Sequence, residues 1–247
     1  MITIKSSREI DLMRKTCILA KETLSFAGSL VKAGVTTEEI NSKVHDYIIE
    51  HGAIPSPLNY HGFPKSICTS LNSVICHGIP SAKELLRNGD ILNIDVTTKL
   101  NGFHGDTNAT FIVGEVPEKV RNLIDVTRLC MEEGIKQVRP GGRLGDIGEA
   151  IETLAHKHHY SVVQEYCGHG IGREFHEAPQ VLHYGKAGTG ELMKEGMIFT
   201  IEPMINLGSR HCRLLNDGWT VVTKDNSLSA QFEHTVLVTS DGFEVLT

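Results

Sequence analysis

The sequence predicts an α+β fold built on an antiparallel sheet, and three observations lead there. A pair of amphipathic helices opens the chain, a second such pair follows near its middle, and clusters of short β-branched segments bounded by turn residues come after each pair. Ser6 and Glu9 have capping-box spacing, and Ile10, Met13, Cys17, Leu24 and Leu30 recur at helical intervals until Gly34 stops the run. Thr36 and Glu39 repeat the signature ahead of Ile40, Val44, Tyr47 and Ile48, with Gly52 as the stop. Pro117 suits a first helical position. A long amphipathic run continues to Val138, Pro140-Gly141-Gly142 breaks it, and a shorter helix comes next.

A shift of 107 positions places Gly34 on Gly141, Ile40 on Ile147, Val44 on Ile151 and Tyr47 on Leu154. This pattern fits two related halves, about 1–114 and 115–247. It equally fits two unrelated amphipathic helices that each follow a glycine stop. Strand-like segments run over 66–69, 91–98, 103–113, 162–166, 196–203, 218–223 and 228–238. No linker divides the 247 residues, so one catalytic-sized domain, 1–247, is the expected organisation.

A net charge of −6 with no long basic run argues against nucleic acid as the main ligand. The six cysteines form no CxxC pair, which excludes a zinc ribbon and reads as reduced thiols. The N-terminus lacks the apolar core of a secretory signal and no stretch is long enough to cross a bilayer, so a cytoplasmic protein without a membrane partner is expected.

Five residues able to bind metal stand out: Asp95, Asp106, His169, Glu202 and Glu233. In Ile91-Leu92-Asn93-Ile94-Asp95-Val96-Thr97, alternation puts Asp95 on one face with Asn93 and Thr97. Asn101-Gly102 is a hairpin turn signal, and the returning strand carries Asp106, so the two aspartates should sit about level on neighbouring strands. Taken alone, two strand aspartates describe a solvated face. Glu202 and Glu233, however, also lie within apolar, β-branched runs, where a solvated residue has no obvious place. The glycines around His169 predict a tight turn, in which the imidazole is either a ligand or a plain turn histidine. Carboxylates with one imidazole suit Mn, Fe, Co or Zn. Bridging carboxylates suit two such ions holding a hydroxide, the equipment of a hydrolase acting on amides or phosphate esters.

The segments Asn59-Tyr60-His61-Gly62-Phe63-Pro64-Lys65-Ser66, Val74-Ile75-Cys76-His77-Gly78-Ile79-Pro80, Asn93-Ile94-Asp95-Val96, Gly102-Phe103-His104-Gly105-Asp106-Thr107, Gly168-His169-Gly170-Ile171-Gly172, Phe175-His176-Glu177 and Thr200-Ile201-Glu202-Pro203 closely resemble type I methionine aminopeptidases of bacterial length, over about residues 6–246. The resemblance implies a pita-bread fold, in which the antiparallel sheet is covered by two helix pairs in pseudo-twofold related halves. It also implies removal of N-terminal methionine from nascent polypeptides when the second residue is small.

The same resemblance implies two divalent ions (Co, Mn, Fe(II) or Zn) on Asp95, Asp106, His169, Glu202 and Glu233, with Asp106 and Glu233 bridging and Glu202 shuttling protons. His77 and His176 contact the substrate amide, and Tyr60, Phe63, Cys68, Phe175 and Trp219 form the side-chain pocket. Read without it, the two histidines are ordinary loop residues and the pocket residues are core. A monovalent cation near Asn72, Val74 and Ser229, a monomeric state and transient ribosome association are further implications. Pro57 departs from the small or thiol residue expected at the pocket rim. The rival readings are an Xaa-Pro aminopeptidase or prolidase, which usually brings an extra N-terminal domain, and a non-catalytic protein on the same fold.

Overall fold

The computed structural model describes residues 2–247. Helices α1 (Ser7–Ser29) and α2 (Thr37–Glu50) lead into β1 (Ile54–Pro55), β2 (Cys68–Leu71), β3 (Val74–Cys76), β4 (Ile91–Leu100) and β5 (Phe103–Ile112). Helices α3 (Glu118–Ile135) and α4 (Leu144–Lys157) follow. They precede β6 (Ser161–Val162), β7 (Gly168–Gly170), β8 (Glu177–Val181), β9 (Ile198–Ile201) and β10 (Met204–Asn206). The chain ends through β11 (Cys212–Leu214), β12 (Val221–Thr223), β13 (Ser229–Gln231), β14 (Glu233–Val238) and β15 (Phe243–Val245).

The main sheet runs β1-β4-β5-β14-β9-β7-β8, with β2 added to β4 and β15 to β14, and every pairing in it is antiparallel. Both predicted capping boxes form, at Ser6 with Glu9 and at Thr36 with Glu39. Asn101 and Gly102 make the two-residue turn between β4 and β5 with φ of 52° and 84°, the left-handed pair that matches strand twist. One apolar cluster gathers around α1 and α2 and another around α3 and α4. A third, with Met13, Cys17, Phe103, Ile171, Ile198 and Leu237, joins the halves.

Several predicted boundaries shift. Pro117 caps α3 rather than opening it, because its ψ of 152° is extended, while its carbonyl still accepts from Val120 and Arg121. The α-helix stops at Ile135, and the N–H groups of Gln137 and Val138 then donate to the third preceding carbonyl, at Gly134 and Ile135. The segment 228–238 breaks at Phe232, so β13 joins a small sheet with β10 while β14 joins the main one. Only Val162 of the 162–166 region is strand, in β6 with Ser161, and 218–223 shortens to Val221–Thr223. His169 lies on a strand, not in a turn. Its flanking glycines let two backbones close in, since a Cβ at Gly168 would stand 2.4 Å from the Thr200 carbonyl and one at Gly170 2.2 Å from that of Ala178.

The relation between halves extends beyond helix spacing. Gly34 donates to Leu86 and Leu86 to Val35. Gly141 likewise donates to Met193 and Met193 to Gly142, each residue 107 positions on. Thr36 bridges Leu85 just as Arg143 bridges Leu192. Two unrelated helix pairs have no reason to choose distant partners at one common offset, so the halves are pseudo-twofold equivalents.

Apolar Ile94 and Val96 of β4 face the α1–α2 cluster, which leaves Asn93, Asp95 and Thr97 for the opposite side of the sheet. Gly105 of β5 lies against α1, where a Cβ would meet the backbone of Thr16 and Cys17 at 2.7 to 2.9 Å. Gly105→Ala is therefore expected to push α1 off the sheet. The cost should be about 1–3 kcal/mol, read as a lower urea midpoint with unchanged slope.

Candidate metal centre

Register decides how the acids meet. Asp106 stands opposite Thr97, and Asp95 opposite Asn108, so the two aspartates are diagonal neighbours on one face instead of level partners. Both still line the same cleft. Glu233 faces Asn108 across β5 and β14, and Glu202 follows the last residue of β9. His169 on β7 completes the group. Its Nε2 is 3.7 Å from both Asp106 Oδ2 and Glu202 Oε1, and ligand atoms of Asp106, His169 and Glu233 all lie within 4.8 Å of one another. All five predicted residues thus line one cleft of about 500 Å³.

Each acid is held by a neutral donor or left bare. Thr97 Oγ1 donates to Asp106 at 2.7 Å, Asn108 Nδ2 to Glu233 at 2.8 Å and Thr200 Oγ1 to Glu202 at 2.6 Å. Gln231 Nε2 reaches Glu202 Oε2 at 3.2 Å. Asp95 Oδ1 is buried without a hydrogen-bond partner. Among the described residues no Lys or Arg forms an ion pair with any of the four.

Burial raises every carboxyl, and repulsion adds to it at Asp106, Glu202 and Glu233. Desolvation lifts Asp95 to about 7 and Glu202 to about 8, Asp95 adding repulsion on Glu202. Asp106 and Glu233 rise well above their ordinary value, first from burial and then from neighbouring acids. His169 donates Nδ1–H to the Gly170 carbonyl at 3.0 Å, which turns the bare Nε2 toward the acids, the orientation of a metal-ligating imidazole. A cluster of oxygen donors with one imidazole, an orphaned buried oxygen and no balancing side-chain cation fits divalent metal.

The two predicted substrate histidines line the same cleft. Burial keeps His77 below its usual value, and its ring meets Trp219 and Tyr166 edge-on. Burial, then His169, pushes His176 down to about 3, and its Nδ1 is 2.8 Å from the Tyr60 hydroxyl. Tyr60, Phe63, Cys68, Phe175 and Trp219 come together as an aromatic and thiol wall, with Phe63 and Trp219 edge to face at 5.2 Å. Pro57 also lines the cleft. Near Asn72, the carbonyl predicted for a monovalent cation accepts the Ser229 N–H at 3.0 Å.

Sequence alone does not mark out Asn108, Thr200, Gln231, His183 or His104. His183 is fully buried and its Nε2 accepts the Glu202 N–H at 3.1 Å, while the His104 ring stacks on Phe175. Alternation in β5 and β9 does place Asn108 with Asp106, and Thr200 with Glu202. The contact from His183 crosses between segments with no local pattern.

Comparison with known proteins agrees with this geometry. Residues 11–240 match the model of metallopeptidase family M24. The chain is 57% identical to a methionine aminopeptidase of Rickettsia prowazekii, over 100% of this chain and 96% of that one. A crystal structure of methionine aminopeptidase from Rickettsia prowazekii superposes with a TM-score of 0.98 at 56% identity, covering 100% of both chains. A prolidase from Pyrococcus furiosus shares the fold at a TM-score of 0.77 and 23% identity, with 99% of this chain and 65% of that one covered. This chain belongs to metallopeptidase family M24, on its bacterial methionine aminopeptidase branch.

Proposed function

We propose that this protein is a metal-dependent aminopeptidase that removes the N-terminal methionine from polypeptides whose second residue is small. The observation that carries the reading is the quartet of clustered carboxyls, Asp106 and Glu233 buried and Asp95 and Glu202 half-buried, with His169 beside them and, among the described residues, no side-chain cation to balance them. Asp95, Asp106, His169, Glu202 and Glu233 would hold two divalent ions. Co, Mn, Fe(II) and Zn all suit this donor set. Bound there, the ions would supply Lewis acidity toward the peptide carbonyl and toward water.

The chain's own groups do the rest. The Glu202 side chain is 15% exposed against 5% for Asp106, so it is better placed to take a proton from water and return it to the leaving amine. With the Tyr60 hydroxyl donating to Nδ1, neutral His176 carries its proton on Nε2, where it can donate to a developing oxyanion. His77 serves the amide from its own side of the cleft. Tyr60, Phe63, Cys68, Phe175 and Trp219 take the methionine side chain, aromatic edges and a thiol being suited to a thioether.

All six cysteines are free and no helix among the described residues is long and apolar enough to cross a membrane. We place the enzyme in the reducing cytoplasm, as a monomer that meets nascent chains at the ribosome.

Adding divalent metal to metal-free protein is expected to bring up Met-Ala-Ser hydrolysis, saturating at two ions per chain, while an Xaa-Pro peptide stays intact. Cleavage of the proline peptide instead would move the chain to proline specificity, and metal uptake without hydrolysis would make it a binding protein. Glu202→Gln should retain a native circular dichroism spectrum and lose roughly 10²–10⁴ in kcat. His176→Ala should lose ~10²–10³ in kcat with metal stoichiometry unchanged by calorimetry.

Metal-free stability should also depend on pH in a defined direction. The folded acids titrate at about 7 for Asp95 and about 8 for Glu202, above the values of an unfolded chain. The metal-free fold therefore keeps protons that the unfolded chain has released, and stability falls as pH rises through those folded values. Buried histidines such as His169 and His183 act oppositely, but only below about pH 6.5, where the unfolded imidazole charges. Urea midpoints of metal-free protein should thus drop between about pH 6.5 and 9. Manganese should restore them; a flat metal-free profile would show that the acids are not buried together.

A further inference from the structure

Glu177 lines the catalytic cleft, yet both of its carboxylate oxygens are engaged inside the protein. Oε2 pairs with Nζ of Lys5, and Oε1 accepts the Glu174 N–H at 3.2 Å. Phe175 and His176 are the two residues enclosed by that second bond, and their rings stack with centroids 4.3 Å apart. The Glu177 carboxylate therefore closes a short turn that carries part of the side-chain pocket and one of the two substrate histidines. The backbone of Glu177 is separately fixed by pairing with Gly170 of β7, so its side chain acts on the turn and not on the strand.

The direction of that carboxylate is set by Lys5. The Lys5 side chain is only 3% exposed, at a depth where an amine without an anion beside it is costly. Its backbone N–H donates to the Gly196 carbonyl at 2.8 Å, which pins the segment ahead of α1 beside the start of β9. A Cβ at Gly172 would stand 2.5 Å from Lys5 Nζ and 2.7 Å from Glu177 Oε1, so the bare glycine leaves the space in which the two meet. The beginning of the loop has ties of its own: the Gly172 carbonyl accepts the His104 N–H at 2.8 Å, and the Arg173 guanidinium lies 4.6 Å over the Phe103 ring. Lys5 is the residue that fixes its end.

We infer that Lys5 is a positioning residue for peptide hydrolysis: through Glu177 it sets the turn that presents His176 to the substrate amide. The inference rests on the aminopeptidase reading, in which His176 donates to the developing oxyanion. Lys5 touches none of the five proposed metal ligands, and its partners are Glu177 and Gly196. Its removal therefore spares the metal and loosens the histidine, whose Nδ1 contact with the Tyr60 hydroxyl at 2.8 Å holds only while the turn keeps the ring in place.

The test measures Met-Ala-Ser hydrolysis by metal-loaded Lys5→Met, with metal stoichiometry followed by calorimetry. A loss of roughly 10- to 100-fold in kcat is expected, with the stoichiometry unchanged. Because Lys5→Met alone leaves Glu177 without its partner, Lys5→Met/Glu177→Met is measured beside it; this neutral, apolar pair is compatible with the fold, and the same loss is expected. Each variant is then combined with His176→Ala. A residue that acts through His176 costs less than about twofold further in that background, whereas a generally loosened fold costs the same factor in both. The inference is overturned if both Lys5 variants keep kcat within about twofold of the unaltered enzyme, or if their full loss recurs on top of His176→Ala. Failure of the unaltered enzyme to hydrolyse Met-Ala-Ser would instead overturn the aminopeptidase reading beneath it.

Discussion

Four carboxyls on one buried sheet face, with no lysine or arginine among them, set the terms for everything around them. Desolvation and mutual repulsion both oppose their ionisation. Such a face can be balanced in two ways: by an internal cation, or by neutral donors that leave the charge for something else to answer. This protein takes the second course. Thr97, Asn108, Thr200 and Gln231 orient the carboxyls without adding charge. A lysine in any of those places would pair with an acid and occupy the ground that metal requires. The donors thus position the acids and keep the site negative at the same time.

The pseudo-twofold relation explains how one cluster is assembled from two halves. Asp95 is the fifth residue counted from the start of β4, and Glu202 stands at the same count from the start of β9, 107 positions later. Where the halves meet, Asn108 faces Glu233 across the β5–β14 pairing and donates to it, while Asp106 meets Thr235 across the same pairing. Asn93 bonds both the Asn108 side chain and the Gln231 carbonyl, which ties strands of both halves to that pair. The repeated scaffold supplies matching strands, and neutral partners such as Asn108 orient the acids without adding charge.

Much of this was legible in the residues because it is local. Capping boxes, glycine stops and the Asn101-Gly102 turn act over a few positions, and they located α1, α2 and the β4–β5 hairpin closely. Alternation put Asp95 on a face with Asn93 and Thr97, which the register bears out. Non-local matters were harder. The stagger between Asp95 and Asp106 depends on strand register, and the strand character of His169 depends on carbonyls of Thr200 and Ala178 brought in from elsewhere. The break at Phe232 comes from β13 and β14 joining different sheets, for which the continuous apolar run gives no sign. His77 and His176 were placed by resemblance to a family, since an imidazole in a loop has no local pattern to betray its task.

The fold by itself does not choose the reaction, because a prolidase shares it at 23% identity. The choice lies in what surrounds the acids. On the proposed reading, two divalent ions and four carboxylates carry equal and opposite charge, so the balance holds only while every nearby histidine stays neutral. Burial secures this: His169 is pushed down to about 4 and His176 to about 3, far from the pH of the cell. A charged imidazole at either position would repel incoming metal, whereas a neutral one offers a lone pair at His169 and an N–H at His176. The desolvation that makes the carboxyls costly to ionise is therefore the same force that keeps the histidines usable. The aromatic wall of Tyr60, Phe63, Phe175 and Trp219 supplies part of that desolvation while shaping the pocket for an apolar side chain.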